Sequence, residues 1–158
     1  MTETATLAGG CFWGVEELVR TLPGVVDTTV GYAGGTLDNP RYEDVKKGRT
    51  GHAESLQIVF DPSKISYDDI LDFFFRLHDP TTANRQGNDI GTQYRSAIFY
   101  HDETQRDAAQ RAIERAQPKW PRPIVTEVVP FTNFYEAEDF HQDYLQRNPH
   151  GYTCHYLR

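Results

Sequence analysis

At 158 residues, with 38% hydrophobic and 13% aromatic residues, the chain has enough apolar surface for one domain with a buried core, which excludes a disordered segment. Its formal charge of −7 argues against nucleic acid or an anionic membrane as a partner, and no apolar run approaches the roughly 20 residues that span a bilayer. Two cysteines without a C-x-x-C pair, and six histidines without H-x-x-x-H spacing, give neither a disulfide scaffold nor a metal site. The start, Met1-Thr2-Glu3-Thr4, lacks a basic or signal-like segment, so a cytoplasmic protein is expected; separately, a monomer is expected.

The first strand is predicted over 5–9 and ends in Gly9-Gly10. Cys11 then opens a helical pattern, Cys11, Val15, Leu18 and Leu22, with Val19 beside it. Cys11 therefore falls where a strand turns into a helix, near free N–H groups and the positive end of the dipole. Such a position stabilises a thiolate, so a depressed Cys11 pKa is expected, at least with substrate bound. The other reading is a buried structural cysteine, as free cysteines commonly are. The glycine pair, the helix start and the neighbours Phe12 and Trp13 favour a reactive sulfur.

That helix reaches about residue 22 and stops at Pro23-Gly24. A β-branched second strand follows over 25–32, then Gly34-Gly35. Residues 38–51 have no clear periodicity and carry Pro40, Gly48 and Gly51, so they read as a long loop containing Tyr42. A third strand over 52–60 places Glu54, Leu56, Ile58 and Phe60 on one face. A carboxyl group buried at the head of an apolar face is held neutral and can donate a proton. A strand-end glutamate turned to solvent fits the same pattern.

Ser66 and Asp69 resemble a capping box for a helix over 67–77, packed through Ile70, Leu71, Phe74 and Leu77. The loop over 78–92 leads into a strand over 94–100 and concentrates hydrogen-bonding groups from Gln86 to Arg95. Long loops are often functional, yet Asn88-Asp89 also suits a simple turn, and Tyr42 and Tyr94 suit half-buried packing. A charged helix over 104–116, a strand over 124–129 and a last helix over 136–146 complete the pattern. Asn148-Pro149-His150-Gly151 releases an irregular tail with Cys154, either a resolving thiol or an inconsequential one. His52 and His141 are candidate bases for a Cys–His pair, and both fit ordinary hydrogen-bonding roles as well.

Up to residue 100 the order is βαββαβ, the split-βαβ or ferredoxin-like unit. The expected fold is therefore α+β: a two-layer sandwich with an antiparallel or mixed sheet, helices on one face and added elements at its edges. Residues 1–158 are expected to form a single catalytic domain, with 148–158 a mobile tail.

Five blocks together resemble the peptide methionine sulfoxide reductase A family: Gly10-Cys11-Phe12-Trp13-Gly14, Gly31-Tyr32-Ala33-Gly34-Gly35, Thr50-Gly51-His52-Ala53-Glu54, the run from Gly87 to Ala97, and Gly151-Tyr152-Thr153-Cys154. The resemblance spans nearly the whole chain. It implies reduction of methionine sulfoxide, free or in oxidised proteins, with preference for the S epimer at sulfur. It makes Cys11 the nucleophile and Phe12 with Trp13 the pocket for the substrate methyl group. Glu54, Tyr42 and Tyr94 match the groups around the sulfoxide oxygen, and Asp89 matches a substrate-positioning carboxylate. Cys154 matches a single resolving thiol, which makes a Cys11–Cys154 disulfide the expected intermediate. The implied reductant is an external dithiol, thioredoxin, with no flavin, nicotinamide or metal. Two other classes fit the bare residues: a cysteine hydrolase or acyltransferase, which needs a histidine base, and a non-catalytic ferredoxin-like ligand-binding module.

Overall fold

The computed structural model describes residues 1–158. In chain order the elements are β1 (Glu3–Gly9), α1 (Phe12–Val19), β2 (Val25–Ala33), α2 (Tyr42–Lys46), β3 (Ala53–Phe60) and α3 (Tyr67–Leu77). A small hairpin, β4 (Arg85–Gln86) and β5 (Asp89–Ile90), precedes β6 (Ser96–Tyr100) and α4 (Glu103–Ala116). The last elements are β7 (Glu127–Pro130), β8 (Phe134–Glu136) and α5 (Tyr144–Arg147).

Six strands form one mixed sheet in the order β7-β6-β1-β3-β2-β8. Only β6 and β7 run parallel; every other neighbour is antiparallel. The period-two pattern fixes the register: Leu56 lies opposite Leu7 on one side and Val30 on the other. These side chains, with Ala5, Ile58, Phe60 and Ile98, form one core with residues of α1, α3 and α4. On the other face Ala8, Ala33, Ala53 and Ala97 are small, and Phe99 packs there with Val129, Phe131 and Phe134. The α+β expectation and the mixed sheet are both found. No helix is long and apolar enough to cross a membrane.

The capping box of α3 forms as expected: Ser66 Oγ accepts from Asp69 N at 3.0 Å, and the Asp69 carboxylate accepts from Ser66 N at 3.3 Å. Such a cap satisfies N–H groups that the first turn leaves free. Three expectations change. The helix carrying Cys11 ends at Val19, because the N–H groups of Thr21 and Leu22 fold back onto the carbonyls of Leu18 and Val19. The 38–51 loop contains α2, whose start is braced by the Asp44 carboxylate accepting from Arg41 N at 3.0 Å. The helix expected over 136–146 is instead β8, a 3₁₀ turn (Asp139–His141) and the four-residue α5.

The cause of that last change lies far away in sequence. Gln142 uses its side-chain amide as a strand would use its backbone: Oε1 accepts from Val30 N and Nε2 donates to Val30 O, both at 2.9 Å. Asp143 then takes a left-handed conformation, φ 54°, which interrupts any helix through it. Residues after Arg147 form neither helix nor strand. They are nevertheless docked, since Arg158 N donates to Arg76 O at 2.9 Å and Arg76 Nε donates to Arg158 O at 3.1 Å.

Candidate active site

Cys11 is the N-cap of α1, one residue beyond Gly10, which has φ 99°. That φ lies in the region where L side chains are strained, so the turn requires glycine. Cys11 is only 7% exposed. Trp13 N–H points at its sulfur and favours the thiolate, as a helix start should. Burial and the Glu54 carboxylate oppose it more strongly, so the Cys11 thiol sits well above its ordinary pKa. The expectation of a depressed Cys11 pKa therefore fails without substrate.

Glu54 heads the apolar face of β3 and is 1% exposed. Burial pushes its carboxyl group up to about 8, against the Phe12 N–H, which donates to Oε1 at 3.2 Å. Glu54 is thus a neutral acid near pH 7, with Oε2 the oxygen left to carry the proton.

Tyr42, at the start of α2, and Tyr94, in the 3₁₀ turn before β6, gather around the same point. Burial raises Tyr42 to about 12, with Glu54 and Cys11 adding to the effect. Tyr94 is raised further by burial and by the same two groups, so both phenols stay protonated and able to donate. Asp89, on β5, is pushed up by burial and faces Cys154, whose Sγ is 3.8 Å from Oδ2. Cys154 is half-buried, and burial and Asp89 raise its thiol. Both cysteines are free. Cys11, Glu54, Tyr42, Tyr94, Asp89 and Cys154 therefore converge, although they come from five separate stretches of chain.

Phe12 points into the core, its ring 5.8 Å from that of Tyr32 and 5.3 Å from that of His141. Trp13 lies flat on Tyr144 at 3.8 Å and 11°, and its Nε1 donates to His141 Nδ1 at 3.0 Å. The two candidate bases are thereby accounted for. His141 is locked into this aromatic wall. His52 accepts from Gly35 N through Nδ1 at 3.0 Å and meets Leu37 O through Nε2 at 2.7 Å. Neither pairs with Cys11.

Sequence reasoning missed Glu138, whose carboxylate accepts from the Tyr32 hydroxyl at 2.9 Å and from Tyr42 N at 3.0 Å. It also missed His155, whereas Gln86, at the head of the hydrogen-bonding run, closes the 79–86 loop onto Asp79. No local signal marks Glu138 or His155, because their partners lie about a hundred positions or more away in sequence. A cavity of about 460 Å³ opens at the far end of β1, beside Glu3, Ser66 and Asp102, and Cys11 does not line it. No group of three His, Cys, Asp or Glu is placed to hold a metal ion.

Such a chain is of one class: an α+β protein built around a helix-start cysteine, with a neutral acid beside it and a second thiol nearby. It belongs to the peptide methionine sulfoxide reductase family, whose description matches residues 3–158. A peptide methionine sulfoxide reductase MsrA of Nocardia farcinica (strain IFM 10152) is 57% identical over 162 residues, covering 100% of this chain and 93% of the relative. The crystal structure of Mxr1 from Saccharomyces cerevisiae in reduced form matches with a TM-score of 0.95 and 46% identity, over 99% of this chain and 92% of that one. Mxr1 in complex with Trx2 matches with a TM-score of 0.69 and 34% identity, over 99% and 90% of the two chains.

Proposed function

We propose that this chain reduces methionine S-sulfoxide, free or in oxidised proteins, through Cys11, with Cys154 as the resolving thiol and thioredoxin as the reductant. The observation that carries the reading is a neutral carboxylic acid, Glu54, held beside the only buried thiol. A sulfoxide sulfur is attacked readily only while its oxygen is being protonated, and Glu54 Oε2 with the Tyr42 and Tyr94 hydroxyls supplies that proton. The Cys11 thiolate bonds to the sulfoxide sulfur, and collapse passes the oxygen to Cys11 as a sulfenic acid and frees methionine. Phe12 and Trp13 receive the substrate methyl group, and Asp89 orients the rest of the substrate. Cys154 then condenses with the sulfenic acid, releasing water, and thioredoxin reduces the disulfide.

The thioredoxin assignment rests on the yeast relative, which has been crystallised with Trx2. The β6-β1-β3-β2 order of the inner strands supports a ferredoxin-like assignment for the core. The tail from 148 onward is assigned a moving role, because Cys11 is too buried for a sulfoxide to reach it unless something shifts. No specific observation favours hydrolase chemistry, since the histidines nearest the site hydrogen-bond other partners, His141 to Trp13, His52 to Gly35 and Leu37, and His155 to Gly9.

The test is a pair of variants. Cys11→Ser should release no methionine. Cys154→Ser should release one methionine per enzyme, accumulate sulfenic acid, and stall with thioredoxin. Wild-type enzyme treated with sulfoxide should yield a Cys11–Cys154 crosslink by mass spectrometry. Recycling of Cys154→Ser by thioredoxin at the wild-type rate would remove Cys154 from the cycle.

A further inference from the structure

His155 takes no part in the steps above, yet its ring is built into the site. It is buried, and Nε2 lies 2.7 Å from the carbonyl oxygen of Gly9. A carbonyl can only accept, so Nε2 carries the ring hydrogen and Nδ1 is left with a free lone pair. That Nδ1 lies 3.9 Å from Cys154 Sγ. Two glycines flanking Cys11 make the room. A Cβ on Gly14 would overlap Nδ1 and stand 2.5 Å from Thr153 Oγ1, and one on Gly10 would press on Gln86 at 2.7 Å and stand 3.2 Å from Nε2. Thr153 Oγ1 in turn accepts from His155 N at 3.1 Å, which fixes the backbone between the two side chains. Gly14 is therefore the seat for this imidazole, three residues beyond the Cys11 that the Gly10 turn presents.

Taking Cys154 as the resolving thiol, we infer that His155 Nδ1 accepts the Cys154 proton during disulfide formation, with the Gly9 carbonyl fixing the tautomer that makes this possible. Two other acceptors lie near the sulfur, Gln86 O and Asp89 Oδ2, both at 3.8 Å. A peptide carbonyl does not take up a proton. A carboxylate can, but until it does so its charge opposes the thiolate, and Asp89 raises the Cys154 thiol for that reason. A neutral imidazole gains positive charge as the sulfur loses its proton, so it stabilises the developing charge instead. Burial holds His155 near 4, which keeps Nδ1 free at neutral pH and lets it hold the Cys154 proton only in passing, until the departing hydroxide takes it. In the step itself, the Cys154 sulfur bonds to the Cys11 sulfur and the Cys11 S–O bond breaks. Cys154 is oxidised from thiol to disulfide, and Cys11 is reduced from sulfenic acid to disulfide. The proton passes from Cys154 through Nδ1 to the departing hydroxide, which leaves as water.

His155→Gln keeps an N–H for the Gly9 carbonyl but places no base at Nδ1. In a single turnover with methionine sulfoxide, the variant should release methionine at the wild-type rate and then form the disulfide more slowly, by about tenfold to a hundredfold, at the lower end of general base effects. Turnover with a small thiol that reduces the Cys11 sulfenic acid directly should stay unchanged, which checks that the variant is folded. Disulfide formation at the wild-type rate overturns the inference. So does an equal slowing of that step in Asp89→Asn, which would make Asp89 the acceptor. If thioredoxin recycles Cys154→Ser, the resolving role of Cys154 has failed, a result distinct from either of these. A second measurement needs no variant: nitrogen NMR of histidine-labelled reduced protein should find His155 protonated at Nε2 and bare at Nδ1, and the opposite tautomer overturns the inference.

Discussion

Glu54 is costly to ionise where it stands, and that cost can be measured. Burial raises its carboxyl group from 4.5 to about 8 in the folded protein. A folded value above the unfolded one means stability is fully present below about pH 4.5 and is lost as pH rises toward 8. The loss amounts to roughly 5 kcal/mol at about 1.4 kcal/mol per tenfold change. Glu54→Gln carries no charge to bury, so its stability should match the wild type near pH 4 and exceed it above pH 8. Denaturant midpoints at the two pH values test this, and equal midpoints at pH 9 would mean that Glu54 is hydrated. The same variant should release methionine about 10²–10⁴-fold more slowly in a single turnover, because the general acid is gone. Its Cys11 thiolate, followed by absorbance, should appear at lower pH than in the wild type, since Glu54 ranks second only to burial in opposing that charge. An unaltered rate would leave the oxygen to Tyr42 and Tyr94. The helix start does favour the Cys11 thiolate, through the Trp13 N–H contact, but its effect ranks behind both opposing ones. Burial of a single residue is what a sequence motif does not quantify.

Strand β8 joins the edge of the sheet to the chemistry. It pairs with β2 through Tyr32 and Tyr135, and Glu138 just beyond it grips the Tyr32 hydroxyl and the backbone of Tyr42. Gly31 makes that pairing possible, because a Cβ there would overlap Tyr135 O and press 2.5 Å from the Phe134 ring. Gly31→Ala should therefore cost about 1–3 kcal/mol in urea unfolding, the usual penalty for overpacking. It should also slow methionine release, by loosening the Tyr42 anchor. Stability lost with no change in rate would separate β8 from the site. This segment is also where sequence reasoning went furthest astray. Period-two burial identified the Leu56, Ile58 and Phe60 face, and the Ser66–Asp69 box marked α3, because both signals are local. Residues 134–147 take their shape from Val30, which Gln142 contacts across more than 100 positions. The site divides the same way. Cys11, Glu54 and Asp89 stood out in motifs, whereas Glu138 and His155 depend on Tyr42 N and Gly9 O, partners that no spacing announces.

Across the whole molecule the two sulfurs face different surroundings, and this decides how a partner reaches them. Cys11 is 7% exposed, whereas Cys154 is half-buried in a tail whose Tyr152, Tyr156 and Leu157 are exposed. An external dithiol reduces a disulfide by attacking one sulfur and expelling the other. Leaving-group strength favours attack on Cys11, because the thiol with the lower pKa departs faster and Cys11 is pushed well above its ordinary value. Access favours attack on Cys154. The second effect should win, since a thiolate carried on a folded partner cannot enter along the S–S axis to a sulfur buried at the start of α1. The exposed Tyr156 and Leu157 offer that partner an apolar footing beside Cys154. A thioredoxin lacking its second active-site cysteine should therefore form a stable mixed disulfide with the oxidised enzyme, and peptide mapping should find it on Cys154. A crosslink on the peptide bearing Cys11 would mean that disulfide formation lifts the tail clear and uncovers the start of α1, with the His155 contact to Gly9 broken before the partner arrives.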